Sequence, residues 1–393
     1  MNDFNYYAPT KVVFGKGAEQ KVGNLIKEQN CKKVLIHYGS GSARRSGLLD
    51  RIEAIFDKEG ITYVELGGVV PNPRLSLVYE GIALCKKENV DFILAVGGGS
   101  VIDSAKAIGY GVANEGDVWD FFDFKRKPTA CLPIGVVLTI AAAGSEMSGS
   151  CVITKEDGGM KRGCTTDYSR LKFAVLDPEL TMTLPPYQTA CGCTDILMHT
   201  MERYFNHSDN MELTDGISEA LMRTVIRNAK ILVKEPENYD TRAEIVWAGT
   251  LAHNGLLNTG RVQDWASHRI ALEMSGLYDI AHGASLSIVY PAWMEYVYSH
   301  DKKRFMQFAV RVWDVDLAYG EEDEICLEGI RRMREFFKKL GMPLTFEDAG
   351  LPTDAFEEMA DKATYGDTIP VGNFVKIGKS QMIDIYKLCT ERK

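Results

Sequence analysis

The chain has 393 residues and a formal charge of −9, with 45 lysines and arginines against 54 aspartates and glutamates. Hydrophobic residues make up 45% and charged residues 25%, which excludes a disordered chain or a disulfide miniprotein, and the length suits two domains. The acidic balance offers no field for a polyanion, so no nucleic-acid partner is expected. No membrane association is expected either, because the least polar run, 132–144, falls short of the ~20 residues a spanning helix needs. Nine cysteines lie scattered without a CxxC pair, and the opening MNDFNYYAPT lacks the basic and apolar regions of an export signal. A reduced, cytoplasmic chain is expected.

The first half alternates short apolar runs with amphipathic segments. Tyr6–Phe14 is β-rich and has no hairpin partner beside it, so it is expected to pair at a sheet edge and to help form a homodimer. Lys33–Tyr38 reads as a strand, and Leu48, Leu49, Ile52, Ile55 and Phe56 mark a helix that Gly60 ends. A strand at Thr62–Leu66, a helix at Leu75–Asn89 and a strand at Asp91–Val96 follow, with further strands at Ile134–Leu138 and Phe173–Leu176. Such alternation predicts an α/β domain: a mostly parallel sheet with helices on both faces. After Leu184-Pro185-Pro186 helical patterns dominate, at Gln188–Phe205, Ile217–Val233, Arg242–Leu257 and Ile325–Leu340. The expected division is an α/β domain over 1–184 and an all-helical domain over 185–393.

Gly97-Gly98-Gly99-Ser100 joins the third strand to a helix over Val101–Ile108. Glycines let backbone amides approach a diphosphate, and a helix N-terminus adds unsatisfied donors. A tight turn with a Ser100/Asp103 capping box explains the same residues. Gly39-Ser40-Gly41-Ser42 forms a second such turn after the strand ending at Tyr38, and two of these turns would line one crevice. No carboxylate stands there to hold a ribose diol, while Ser40, Ser42, Arg44 and Arg45 suit a 2′-phosphate; two solvated arginines are the plainer alternative.

Among seven histidines, His199 stands four residues after Asp195, on one helix face. That pair alone means little, since a chain of this composition contains roughly one by chance. His268 and His282 would lie ~21 Å apart on one unbroken helix. If the chain folds back at Gly276, they converge, and one Asp with three His suits Fe2+ or Zn2+. Otherwise each is a capped or core histidine.

The order of these motifs resembles the iron-containing (group III) alcohol dehydrogenases, most closely their butanol dehydrogenase branch. The resemblance spans Tyr7–Gly15, Pro71-Asn72-Pro73, Gly97–Lys106, Leu138–Glu146, Phe173–Pro178, Asp195–His199, Asp264–His268 and Ala281–Gly283. It implies a dehydroquinate synthase-like architecture, an N-terminal dinucleotide-binding domain followed by a helical one. It implies metal ligands at Asp195, His199, His268 and His282 and a diphosphate loop at Gly97, Gly98, Gly99 and Ser100. Asp103, Asn72, Thr139 and Lys161 match positions lining the cofactor cleft, and Gly39, Ser40, Gly41 and Ser42 match the turn that receives the adenosine ribose. The chain departs from the pattern at Leu272, where many relatives carry a histidine regarded as a proton-relay group, and at Ala143, usually a threonine. His253 also stands where a small apolar residue is the rule and is expected to be structural.

The expected function is a metal-dependent, NAD(P)-linked alcohol dehydrogenase or aldehyde reductase for short primary alcohols. Its expected cofactors are NADP(H), preferred over NAD(H), and one divalent metal, Fe2+ or Zn2+, acting as a Lewis acid. The alternatives are a polyol or glycerol-type dehydrogenase of the same fold and a non-catalytic dinucleotide sensor. No cluster of cationic residues around Asp195–Tyr204 or Asp264–His282 favours a phosphorylated substrate.

Overall fold

Residues 1–390 are described by a computed structural model. Among the described residues eight strands form in chain order: β1 (Lys11–Phe14), β2 (Val34–Gly39), β3 (Tyr63–Val69), β4 (Phe92–Gly97), β5 (Ile134–Leu138), β6 (Ser150–Lys155), β7 (Met160–Thr165) and β8 (Phe173–Leu176). Six of them make one sheet in the order β1-β8-β5-β4-β2-β3, and every pairing is parallel.

A parallel strand covered on both faces must be apolar throughout, and all six residues of β4 are buried. The period of two sends alternate side chains to opposite faces. Val34 and Ile36 of β2 pack with Leu49, Ile52 and Phe56 of the helix Leu48–Glu59. His37 points the other way, and its Nε2 lies 2.8 Å from Ser104 Oγ on the helix Gly99–Ala113. The sheet therefore has helices on both faces, as the alternation of patterns predicts.

The chain leaves β2 for β3 on one side, then crosses to β4 on the other. The point where connections diverge opens a crevice at the carboxyl ends of the strands. Tyr38 of β2 stands opposite Val96 of β4, so the turns beginning at Gly39 and Gly97 flank that point side by side.

The antiparallel pair β6–β7 is absent from the sequence expectations. Its signal was the turn Asp157-Gly158-Gly159 between two alternating runs, with Gly158 at φ 79° and Gly159 at φ 57°. Of Tyr6–Phe14, only Lys11–Phe14 is strand, and it pairs with β8 at the edge of the sheet.

Two compact units emerge. One comprises Tyr7–Leu184 with Glu237–Asn254; the other comprises Met1–Tyr6, Pro185–Pro236 and the chain from Gly255 onward. The chain passes from one unit to the other between Leu184 and Pro185, and the helix Tyr239–His253 groups with the sheet unit. Buried polar contacts hold it: Thr250 Oγ1 donates to Glu146 Oε1 at 2.7 Å, and His253 Nδ1 donates to the Ala143 carbonyl at 2.8 Å. The second unit is helical, with its longest elements at Pro186–Tyr204, Glu212–Leu232, His282–Val297 and Glu322–Lys339. No helix among the described residues is long and apolar enough to cross a membrane.

Candidate metal centre and cofactor turns

The helix Pro186–Tyr204 begins on Pro185-Pro186, where the missing amide of a first-turn proline costs nothing. Asp195 and His199 stand one turn apart on it, both 4% exposed. His268 lies on the helix Ala266–Tyr278, and His282 opens the helix His282–Val297. The first of these helices runs through Gly276, and the reversal falls at 279–281, where Asp279 takes φ 54° as a left-handed cap. The expected break at Gly276 is thus corrected by three residues. Asp and Asn tolerate that conformation better than most residues, so a helix can stop there without glycine.

The reversal brings the rings of His268 and His282 to 5.3 Å between centroids. Asp195, His268 and His282 offer donor atoms all within 4.8 Å of one another. Asp195 Oδ1 is the shared vertex, 3.8 Å from His268 Nε2 and 3.9 Å from His282 Nε2. Ligands ~2.1 Å from one tetrahedral ion stand about 3.4 Å apart, so the two separations from Asp195 Oδ1 are within half an ångström of that spacing. Asp195 Oδ1 and His268 Nε2 are both buried with no hydrogen-bond partner among the described residues, an arrangement that a cation would satisfy. His282, at 25% side-chain exposure, is the most accessible of the set. His199 stands beside the triangle, its Nδ1 3.3 Å from Asp195 Oδ1 and its ring 4.7 Å from that of His268.

The sequence reading missed Glu202. It follows Asp195 by seven residues and His199 by three, so all three occupy one helical stripe. It is fully buried, and its Oε1 lies 2.6 Å from His268 Nδ1. The spacing of seven was the available signal, but an acid three residues beyond a histidine is too common to single out unaided.

In the sheet unit, Gly39, Ser40, Gly41 and Ser42 run from the end of β2 into a four-residue helix, with Gly41 at φ 137°. Arg44 does not remain available to an anion. It pairs with Asp50 at 2.9 Å, Glu53 at 2.5 Å and Glu65 at 2.5 Å. Arg45 stays by the turn, its Nη1 2.9 Å from where a Cβ on Gly41 would sit.

Gly97 ends β4, and Gly98 caps the helix in extended backbone. A Cβ on Gly98 would approach Ile140 Cγ2 to 1.9 Å, so close packing already demands glycine there. The helix starts at Gly99, which places Ser100 inside it, and no side chain caps its end. The expected Ser100/Asp103 capping box is therefore absent. Asp103 instead accepts from Ser145 Oγ at 2.6 Å and from the Val152 amide at 3.0 Å, holding neighbouring chain segments. The Thr139 amide donates to the Gly97 carbonyl at 3.1 Å, which sets the turns after β4 and β5 side by side. Asn72, at φ 56°, accepts from Lys161 Nζ at 2.7 Å; both residues are 5% exposed. Leu272 is half-buried and cannot relay a proton.

A parallel sheet with glycine turns at its switch point, in a chain that also builds an Asp/His cluster, defines a dinucleotide-linked metalloenzyme. Residues 9–178 match the family "Iron-containing alcohol dehydrogenase", and residues 189–390 match "Fe-containing alcohol dehydrogenase family, C-terminal". The chain belongs to the iron-containing alcohol dehydrogenase family and is an oxidoreductase. It is 42% identical to the probable NADH-dependent butanol dehydrogenase 1 of Bacillus subtilis over 98% of this chain and 99% of that one. It is 37% identical to the NADPH-dependent aldehyde reductase YqhD of Escherichia coli over 92% and 93%. The crystal structure of NADH-dependent butanol dehydrogenase A from Thermotoga maritima superposes with a TM-score of 0.96 at 39% identity, covering 100% of this chain and 99% of that one.

Proposed function

We propose that this protein is a metal-dependent alcohol dehydrogenase that interconverts short primary alcohols, such as butanol, and their aldehydes. Asp195, His199, His268 and His282 hold one divalent ion, Fe2+ or Zn2+. The observation that carries this reading is the convergence of buried donor atoms on Asp195 Oδ1. The relatives named for butanol and aldehydes supply the substrate class.

When bound, a divalent metal supplies Lewis acidity toward a carbonyl or alkoxide oxygen, while a nicotinamide supplies or accepts the hydride. The chain's own contribution is position and charge. The Asp195 carboxylate brings one negative charge to a set of three imidazoles and so favours a cation there. Burial of Asp195, His199 and His268 keeps water from their donor atoms, and the more exposed His282 marks the side where substrate reaches the set. His282 brings a ring near the substrate without acting as a nucleophile. The apolar Leu272 leaves proton delivery to solvent, to the cofactor ribose or to another group.

For the cofactor, NADP(H) preference rests on Gly39, which presents no carboxylate to a 2′-phosphate. Ser40, Ser42 and Arg45 are its donors, and Arg44 drops out of that set because three acids hold it. Gly97, Gly98, Gly99 and Ser100 serve the diphosphate, while Asn72, Thr139 and Lys161 line the same end of the sheet; Asp103 supports the site from behind. A homodimer through the open edge of β1 and a cytoplasmic location, suited to nine free thiols, complete the proposal. A monomeric mass in light scattering at micromolar concentration would refute the dimer.

The deciding experiment is a panel of aldehydes and alcohols run with both cofactors on metal-analysed protein. Turnover of butanal that depends on stoichiometric metal is expected. Metal-replete protein that binds cofactor yet turns over no aldehyde would instead favour a sensor.

A further inference from the structure

His268 has two ring nitrogens, and only one can face Asp195. The atom that decides is a carboxylate oxygen from the neighbouring helix. Glu202 Oε1 lies 2.6 Å from His268 Nδ1 and also accepts from the His268 backbone amide at 3.1 Å. Its other oxygen accepts from the Trp265 amide at 2.8 Å, and the Glu202 carbonyl accepts from the Asp264 amide at 2.9 Å. One residue thus holds the ring, the first turn of the helix that carries the ring, and the segment leading into it.

That segment is strained. Trp265 caps the helix at φ 68°, ψ 7°, a conformation a bulky side chain rarely adopts. Such strain persists only where surrounding contacts over-determine it, and it gathers at functional positions. The Glu202 carboxylate on the Trp265 amide, and the Arg203 guanidinium 4.6 Å above the Trp265 ring, are among those contacts.

We infer that Glu202 is a positioning residue for metal binding. It accepts the Nδ1 proton of His268 and so orients the ring with Nε2 on the side of Asp195 Oδ1, 3.8 Å away, where that nitrogen would serve an ion. The inference rests on the proposed metal site and deepens it. A carboxylate on the far nitrogen of a ligating histidine fixes the tautomer, and its loss typically lowers metal affinity by about 10–100-fold.

Glu202→Gln nearly preserves volume but replaces one acceptor by a donor, leaving an amide facing either His268 Nδ1–H or Trp265 N–H. Zinc affinity is measured by competition with a chromophoric chelator, alongside far-UV circular dichroism. E202Q is expected to bind Zn2+ 10–100-fold more weakly than the parent with an unchanged circular dichroism spectrum. The tautomer is read directly in the zinc-loaded parent by 15N–1H correlation. A slowly exchanging ring N–H at Nδ1 of His268 is expected, and it should be lost in H268A. Parental zinc affinity in E202Q, or a His268 proton found on Nε2, overturns the role of Glu202. The H268A variant separates the two readings: its losing zinc while E202Q keeps it removes Glu202 alone, whereas its keeping zinc removes the site itself. If E202Q does not fold, the parent's spectrum decides.

Discussion

Gly283 lies against the backbone of Cys191: a Cβ built on Gly283 would stand 2.2 Å from the Cys191 carbonyl oxygen and 2.7 Å from its Cα. Those atoms are main chain and cannot swing aside. The contact sits one residue after His282 and four before Asp195, so it sets how closely the helix bearing His282 approaches the helix bearing Asp195.

Gly283→Ala should therefore push the two helices apart and weaken both folding and metal binding. A loss of about 1–3 kcal/mol is expected, typical of overpacking, together with reduced zinc content after dialysis. Gly216, on the helix Glu212–Leu232, has nothing within 4 Å of its would-be Cβ. Gly216→Ala is the control and should gain about 0.5–1 kcal/mol from helix propensity alone. Thermal unfolding of both variants checks the sign; equal effects would mean that the Gly283 contact is unimportant.

Asp195→Asn should cost more metal than His199→Ala. Asp195 Oδ1 is the atom the other donors surround, and its charge balances the ion, whereas His199 stands beside the triangle with its Nδ1 toward Asp195. Elemental analysis after dialysis should find D195N empty and H199A partly loaded. The reverse order would place the ion away from Asp195 Oδ1.

Gly39→Asp should turn cofactor choice toward NAD(H). A Cβ at Gly39 meets only Val69 O at 3.5 Å and Val101 Cγ2 at 4.0 Å, ordinary contacts, so the variant should fold normally. The new carboxylate would repel a 2′-phosphate and accept from a ribose diol. A change of about tenfold or more in the ratio of kcat/KM for NADPH over NADH is expected, equivalent to about 1.4 kcal/mol. A clear NADH preference in the parent would remove the premise.

His37 makes the stability of the sheet unit pH-dependent. Burial pushes its pKa down to about 4, and the neutral ring donates from Nδ1 to the Leu66 carbonyl and accepts at Nε2 from Ser104 Oγ. The folded value lies below the unfolded one of about 6.5. As pH falls through 6.5 the unfolded chain takes up a proton that the folded chain refuses. The contribution is therefore complete above pH 6.5 and is lost progressively toward pH 4, about 3 kcal/mol in all. The His37 ring resonances should not titrate between pH 7 and 5, and the fall in urea-unfolding stability over that range should be shallower in His37→Asn. A ring that titrates near 6.5 would refute it.

Chain order and period carried most of the sheet. The apolar runs of β2, β4, β5 and β8 were legible because strands covered on both faces must be apolar throughout. β6 and β7 were not, since an antiparallel pair with mixed burial leaves only a weak alternating pattern around a glycine turn.

What the sequence by itself determined is the set of chemical groups: glycines where strands meet helices, no carboxylate at Gly39, an Asp195–His199 turn, and histidines at 268 and 282. Local spacing and turn chemistry suffice for these, because they depend on neighbours within one helical turn. Tertiary structure alone decided which groups meet. It placed the chain reversal at Asp279 rather than Gly276, took Arg44 away through Asp50, Glu53 and Glu65, turned Asp103 toward Ser145 and Val152, and set Glu202 on His268. Each of those partners lies on another element or turn, as far as 66 residues away for Glu202 and His268. Hydrogen bonds and charges act over a few ångströms of space, and only the folded chain brings such distant residues within that range.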